Sequence, residues 1–145
     1  MITSLNRLCS EIHTTVTNPE LFQTIRPLLS RYQGHDWINY TRYNTTTYDR
    51  VKIYTCPFFD MYILTWAPKS STKVHDHAEY GCWLKILQGR LLETIYDHDP
   101  YKLSDDRLLD TDQVSFIHNS IGLHSIHNNN LIPAVSLHVY APRQT

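Results

Sequence analysis

The run VHDHAEYGCWLKILQG, Val74 to Gly89, opens with two histidines one residue apart and carries a lone cysteine, Cys82, five positions after the second. On a strand, His75 and His77 share one face and Asp76 takes the other, so two imidazoles can converge on one ion without backbone distortion. In a chain with nine histidines such a pair also arises by chance. A third imidazole, His124 in SIGLHSIHN, lies in a later apolar run that antiparallel pairing can bring alongside the first. Two ligands from one segment and one from another would fix three positions on one side of an ion and leave three open if it is octahedral. Three imidazoles suit several divalent first-row metals, zinc, nickel and copper among them.

These residues must be positioned by strands. From Val51 the chain breaks into short β-rich runs, VKIY, DMYILTW, KVHDH, CWLKILQ, RLLETIYD, QVSFIH, LHSIH and AVSLHVY, separated by the turn-like CPF, PKSS, AEYG, QG and NNN. Many short strands at close spacing predict a closed or sandwiched antiparallel sheet. Strict alternation from His77 would turn Cys82 away from the metal. A turn at AEYG, with Gly81 at positive φ, lets CWLKILQ begin a new strand whose first residue faces it again. In AVSLHVY, the set Ser136, His138 and Tyr140 must share one face of a largely apolar strand. Either that face is solvated, as in many antiparallel sheets, or it lines a polar cavity inside a barrel.

The N-terminal third reads differently. Leu5, Leu8 and Ile12 recur at helical spacing behind a Ser4 cap, and Asn18-Pro19 opens a second helical stretch that Pro27 should kink or shorten. Asp36 to Tyr40 forms one more short helix. The expected organisation is a single domain over residues 1–145, with helices in 1–40 and the β-barrel in 48–142.

Composition narrows the function. With 13 Lys and Arg against 14 Asp and Glu, the chain lacks the basic balance of a nucleic-acid or membrane-surface binder. Its apolar runs fall far short of the roughly 20 residues a membrane span needs, and the N-terminus lacks a signal core. A cytoplasmic monomer acting on a small molecule is expected. The three cysteines, Cys9, Cys56 and Cys82, are odd in number and in no metal-knuckle spacing, which argues against a disulfide framework.

HDH, four residues, Cys82 and WLKILQG, then SIGLH with Asn128 four residues on, then SLHVY, together resemble the thiol dioxygenases of the cupin superfamily, cysteine dioxygenases above all. The likeness spans roughly residues 37 to 143. It implies a mainly β fold, a cupin jelly-roll barrel, and one Fe(2+) per chain on His75, His77 and His124. It also implies oxidation of L-cysteine by O2 to cysteine sulfinic acid, with the substrate thiolate and amine on the iron. Most cupins place a glutamate ligand where Cys82 stands. Three neutral imidazoles leave the ferrous ion its full charge, which suits an anionic thiolate. By register, Trp66 matches the family's pocket tryptophan. Ser136, His138 and Tyr140 match a Ser-x-His-x-Tyr strand whose phenol lies near the iron, and Cys82 and Tyr140 match a pair that can be joined by a thioether.

The family's carboxylate-holding arginine sits in a Tyr-x-Arg element, and two are present, Tyr40-Thr41-Arg42 and Tyr48-Asp49-Arg50. Spacing to Trp37 and Trp66 selects Tyr48 and Arg50, with Arg42 the alternative. Oxidation of 3-mercaptopropionate, or a truncated cupin that binds metal or thiol without catalysis, are the competing readings.

Overall fold

The computed structural model describes residues 1–76, 79–98, 102–118 and 120–142. Helix α1, Leu5–Thr15, starts where the Ser4 side chain accepts a hydrogen bond from the Arg7 amide, and it buries Leu5, Leu8, Cys9 and Ile12. Asn18 caps a 3-10 turn, Pro19–Thr24, and only then does α2 run from Ile25 to Arg31. Pro27 lies in the first turn of α2, where its missing N–H leaves no intrahelical bond unmade, so the chain places its change of helix type just before the proline. A 3-10 turn at Asp36–Tyr40 follows.

Among the described residues, eight strands make two antiparallel sheets. Strands β1 (Tyr48–Thr55), β2 (Asp60–Trp66), β3 (Gly81–Gln88), β6 (Val114–Ile117) and β8 (Ala134–Ala141) form one, in the order β1-β2-β8-β3-β6. Strands β4 (Leu91–Tyr96), β5 (Leu103–Leu109) and β7 (Leu123–His127) form the other, ordered β5-β4-β7. Tyr62, Leu64, Trp66, Leu84 and Ile86 of the larger sheet pack on Leu91, Leu109 and Ile126 of the smaller, so the inner faces meet in one core. The outer face of the larger sheet carries Met61, Ile63, Trp83, Leu137 and Val139 and packs against the N-terminal helices. Buried Lys85 reaches from β3 to the carbonyls of Leu29 at 2.9 Å and Tyr32 at 2.5 Å, satisfying the C-terminal end of α2. This is the two-layer jelly-roll architecture expected of a cupin.

Gly81 adopts φ +114°, and a Cβ there would lie 2.7 Å from the Ile117 carbonyl, so the turn before β3 requires glycine as anticipated. All three cysteines are free. Among the described residues, no helix is long and apolar enough to cross a membrane.

Two strand expectations need correction. KVHDH is not a strand over its described part; residues 71–75 contribute isolated bridges, Ser71 to His127 and His75 to His124, along the β7 edge. The bridge at His75 still uses both its backbone groups, N–H to the His124 carbonyl at 2.9 Å and C=O from the His124 amide at 3.1 Å. β5 was not anticipated: LSDDRLL is an edge strand exposed over most of its length, and its paired aspartates run against β propensity.

Candidate metal and substrate site

Strands β1, β2, β7 and β8 surround a cavity of about 580 Å3 between the two sheets. Its wall includes Tyr48, Arg50, Trp66, His75, His124, His138 and Tyr140, all singled out from the sequence, with Leu64 and Ile126 as apolar surface. Ser136 and Cys82 are buried behind that wall. Arg42 is not among the lining residues; its amide donates to Thr65 Oγ1 instead. His77 lies outside the described residues.

The two described histidines meet at one point. The backbone bridge sets His75 and His124 side by side, and their Nε2 atoms lie 2.9 Å apart. Each ring has its other nitrogen held: His75 Nδ1 donates to the Lys73 carbonyl at 2.8 Å, and His124 Nδ1 donates to Glu93 Oε2 at 2.8 Å. With the protons on Nδ1, both Nε2 lone pairs point into one space. Two nitrogens bound about 2.1 Å from one ion at adjacent octahedral positions would be about 3.0 Å apart. The donor set therefore fits a metal ion, although the described residues alone hold no group of three or more metal-binding side chains. Burial, reinforced by the neighbouring His124, lowers the pKa of His75 and keeps its imidazole neutral, the form a ligand must have.

β8 supplies a second array. Trp66 Nε1 donates to Ser136 Oγ at 2.9 Å, Ser136 Oγ lies 2.7 Å from His138 Nε2, and His138 Nδ1 lies 3.2 Å from the Tyr140 hydroxyl. An indole can only donate, which sets the direction of the row. Ser136 Oγ accepts from Trp66 and gives its one proton to His138 Nε2; His138 then donates from Nδ1 to the phenol oxygen, whose own proton is left for the cavity. Burial lowers the His138 pKa to about 3, so the ring is neutral, and burial raises the Tyr140 phenol well above its ordinary value.

Cys82 pairs directly across from Tyr140 in the β3–β8 ladder, and Tyr140 packs against it. Burial, then the charge of Glu93, raises the Cys82 thiol and keeps it protonated. On β1, Arg50 stacks its guanidinium 4.3 Å from the Tyr62 ring centroid and 5.6 Å from that of Tyr140. Tyr48 rests on Trp66 with centroids 4.9 Å apart. Asn128, noted in the sequence motif, is structural: its buried amide donates to the carbonyls of Trp66, Ala67 and Ile132.

Two residues escaped the sequence reading. Tyr62 supports Arg50; it shares the inner face of β2 with Leu64 and Trp66, and that alternation was the available signal. Glu93 is fully buried between Leu91 and Ile95 on the inner face of β4. A glutamate on the apolar side of a strand was legible as an anomaly. Burial would raise its carboxyl, but the hydrogen bonds from His124 and Ser115 and the charge of Arg107 hold it below the usual range.

The family model described as cysteine dioxygenase type I matches residues 4–145. A cysteine dioxygenase type 1 from Danio rerio is 32% identical over 130 residues, covering 83% of this chain and 65% of the relative. Its counterpart from Rattus norvegicus is 33% identical over 129 residues, covering 83% of this chain and 64% of the relative. The chain thus spans a little under two thirds of these relatives. Among solved structures, a protein from Thermus thermophilus superposes with TM-score 0.64 at 21% identity, covering 76% of this chain and 97% of that one. A cupin superfamily protein from Desulfitobacterium hafniense superposes with TM-score 0.58 at 13% identity, covering 70% and 83%.

Proposed function

This chain belongs to the cysteine dioxygenase type I family, and we propose that it oxidises L-cysteine to cysteine sulfinic acid, both atoms of O2 finishing on the sulfur. The observation that carries this reading is one cavity with three kinds of chemistry on its wall: paired imidazole nitrogens, a guanidinium and a half-buried phenol.

His75, His124 and, from the sequence, His77 would hold a ferrous ion, which when bound supplies adjacent positions for the thiolate, amine and O2. Arg50 holds the substrate carboxylate, braced by Tyr62 beneath it. Trp66, Ser136 and His138 fix the Tyr140 hydroxyl so that its proton points into the cavity, where it donates to oxygen or carboxylate. Because His138 stays neutral, it adds no cation to compete with Arg50 for the carboxylate. Leu64 and Ile126 give the sulfur an apolar wall. Cys82, opposite Tyr140 in the β3–β8 ladder, would form a thioether with it, a coupling that removes one hydrogen from each and for which O2 is the oxidant; intact mass after turnover should fall by about two hydrogens.

Anaerobic loading with Fe(II) and cysteine, followed by air, should consume one O2 per cysteine sulfinate formed. Tight cysteine binding with stoichiometric iron and no sulfinate would instead make the protein a non-catalytic binder. Competition between cysteine and 3-mercaptopropionate fixes the preferred thiol. Arg50→Met should raise KM for cysteine by about 30–100-fold, the equivalent of roughly 2–3 kcal/mol for an unpaired carboxylate, while Arg42→Met leaves it unchanged.

A further inference from the structure

We propose that Glu93 is a positioning residue for the iron site: its carboxylate fixes the proton and orientation of His124 and places a negative charge one residue away from the metal. This rests on the assignment of His75 and His124 as metal ligands.

A fully buried carboxylate is costly unless every lone pair is used, and Glu93 divides its two oxygens between two tasks. Oε2 accepts from His124 Nδ1 at 2.8 Å. Oε1 accepts from Ser115 Oγ at 2.8 Å and lies 3.8 Å from Arg107 Nη1. The first contact keeps the His124 proton on Nδ1 and so directs Nε2 at His75 Nε2, 2.9 Å away. A carboxylate bonded to an imidazole ligand also makes that ligand more basic. The second contact anchors the carboxylate from β6 and sets a partly exposed guanidinium against its charge.

By the family resemblance Cys82 occupies the place where most cupins carry a carboxylate ligand, and the buried carboxylate of this chain is Glu93, one hydrogen bond away from His124. The anion absent from the ligand set is present behind it, bonded through His124. The ion keeps an all-imidazole set, open to an anionic thiolate, while a buried negative charge supports its more oxidised form.

The test compares metal-free wild type, Glu93→Gln, Glu93→Ala and Arg107→Met by anaerobic Fe(II) titration against a chelator, with the midpoint potential of each loaded protein. Glu93→Gln keeps an oxygen to accept from His124 but loses the charge, so Fe(II) should bind about 10–100-fold more weakly and the potential should rise. Glu93→Ala, which also releases the ring, should bind at least as weakly. Arg107→Met leaves the carboxylate with less opposing charge, so its potential should fall or stay. Wild-type affinity and potential in Glu93→Gln, or a lowered melting temperature as its sole effect, overturns the proposal, as does a rise in potential for Arg107→Met. Wild type that binds iron and loses it on Glu93→Gln, yet forms no sulfinate, would refute the proposed activity and leave the role of Glu93 standing. Wild type that binds no iron refutes both.

Discussion

The two faces of β8 carry opposite chemistry. Val135, Leu137, Val139 and Ala141 point outward into the apolar layer shared with α1 and α2. Ser136, His138 and Tyr140 point inward to the cavity, and two of those three are as inaccessible as their apolar neighbours. Burial alone therefore does not separate scaffold from site. On the outer face, removal of apolar area from water is favourable at each position independently. On the inner face each polar group is tolerable only while its partner is present, so the residues behave as one unit. Outer-face substitutions should change stability and spare the metal; inner-face substitutions should spare neither neighbour nor function.

The largest effect expected is from His124→Ala. Loss of a ligand must exceed the 10–100-fold that loss of a ligand's hydrogen-bond partner costs, so Fe(II) affinity should fall by more than about 100-fold, with sulfinate formation abolished. Because the change also strands the buried Glu93 carboxylate, the metal-free protein should melt lower as well. Near-wild-type iron content, read by metal analysis after desalting, would remove His124 from the site. The outer-face counterpart is Leu137→Ala, expected to cost about 2–5 kcal/mol, or roughly 5–15 °C in Tm, while Fe(II) affinity stays within about twofold. An iron affinity that falls in proportion to stability would show that the two faces are not separable.

Acid sharpens the contrast. The His138 pKa is about 3 when folded against an ordinary 6.5, so the unfolded chain binds a proton there before the folded one does. Its stabilising contribution is complete above pH 6.5 and is lost as pH falls toward 3, at up to about 1.4 kcal/mol per pH unit. Between pH 6.5 and 5, metal-free wild type should lose about 1–2 kcal/mol more than His138→Gln in urea unfolding. Equal losses would mean that the ring is not held neutral.

The outer face was the more legible in sequence, because apolar alternation and helical spacing each declare themselves within a few residues. DMYILTW is β2 residue for residue, and the Ser4 and Asn18 caps lie where their side chains predict. What failed was what depends on distant partners. The His75 segment lies along β7 through isolated bridges rather than as a strand, and β5 forms although its aspartates disfavour it, because β4 offers a free edge. In the site, the resemblance supplied Arg50 and the inward row of β8, and the fold places both at one cavity. Tyr62 and Glu93 belong to no spaced motif; their roles exist only once Arg50 and His124 stand beside them.

The smallest effect expected separates a positioning role from plain packing. Trp66 stands at the head of the row that ends at the Tyr140 hydroxyl, and its indole N–H holds Ser136 Oγ in place 2.7 Å from His138 Nε2. In Trp66→Phe that hold is gone. Ser136 is then free to turn its hydroxyl away, His138 can carry its proton on Nε2 instead of Nδ1, and the phenol turns its own proton back onto the ring instead of into the cavity. One hydrogen bond's worth of direction is lost, about 0.5–1.5 kcal/mol, so kcat should fall about 2–10-fold. Lost packing against Tyr48 could lower the rate by a similar amount, and the double mutant decides between them. If Trp66 acts through the phenol, Trp66→Phe should have no further effect on kcat in a Tyr140→Phe background. If the two losses add, Trp66 acts as a wall of the cavity, and the polar row begins at Ser136.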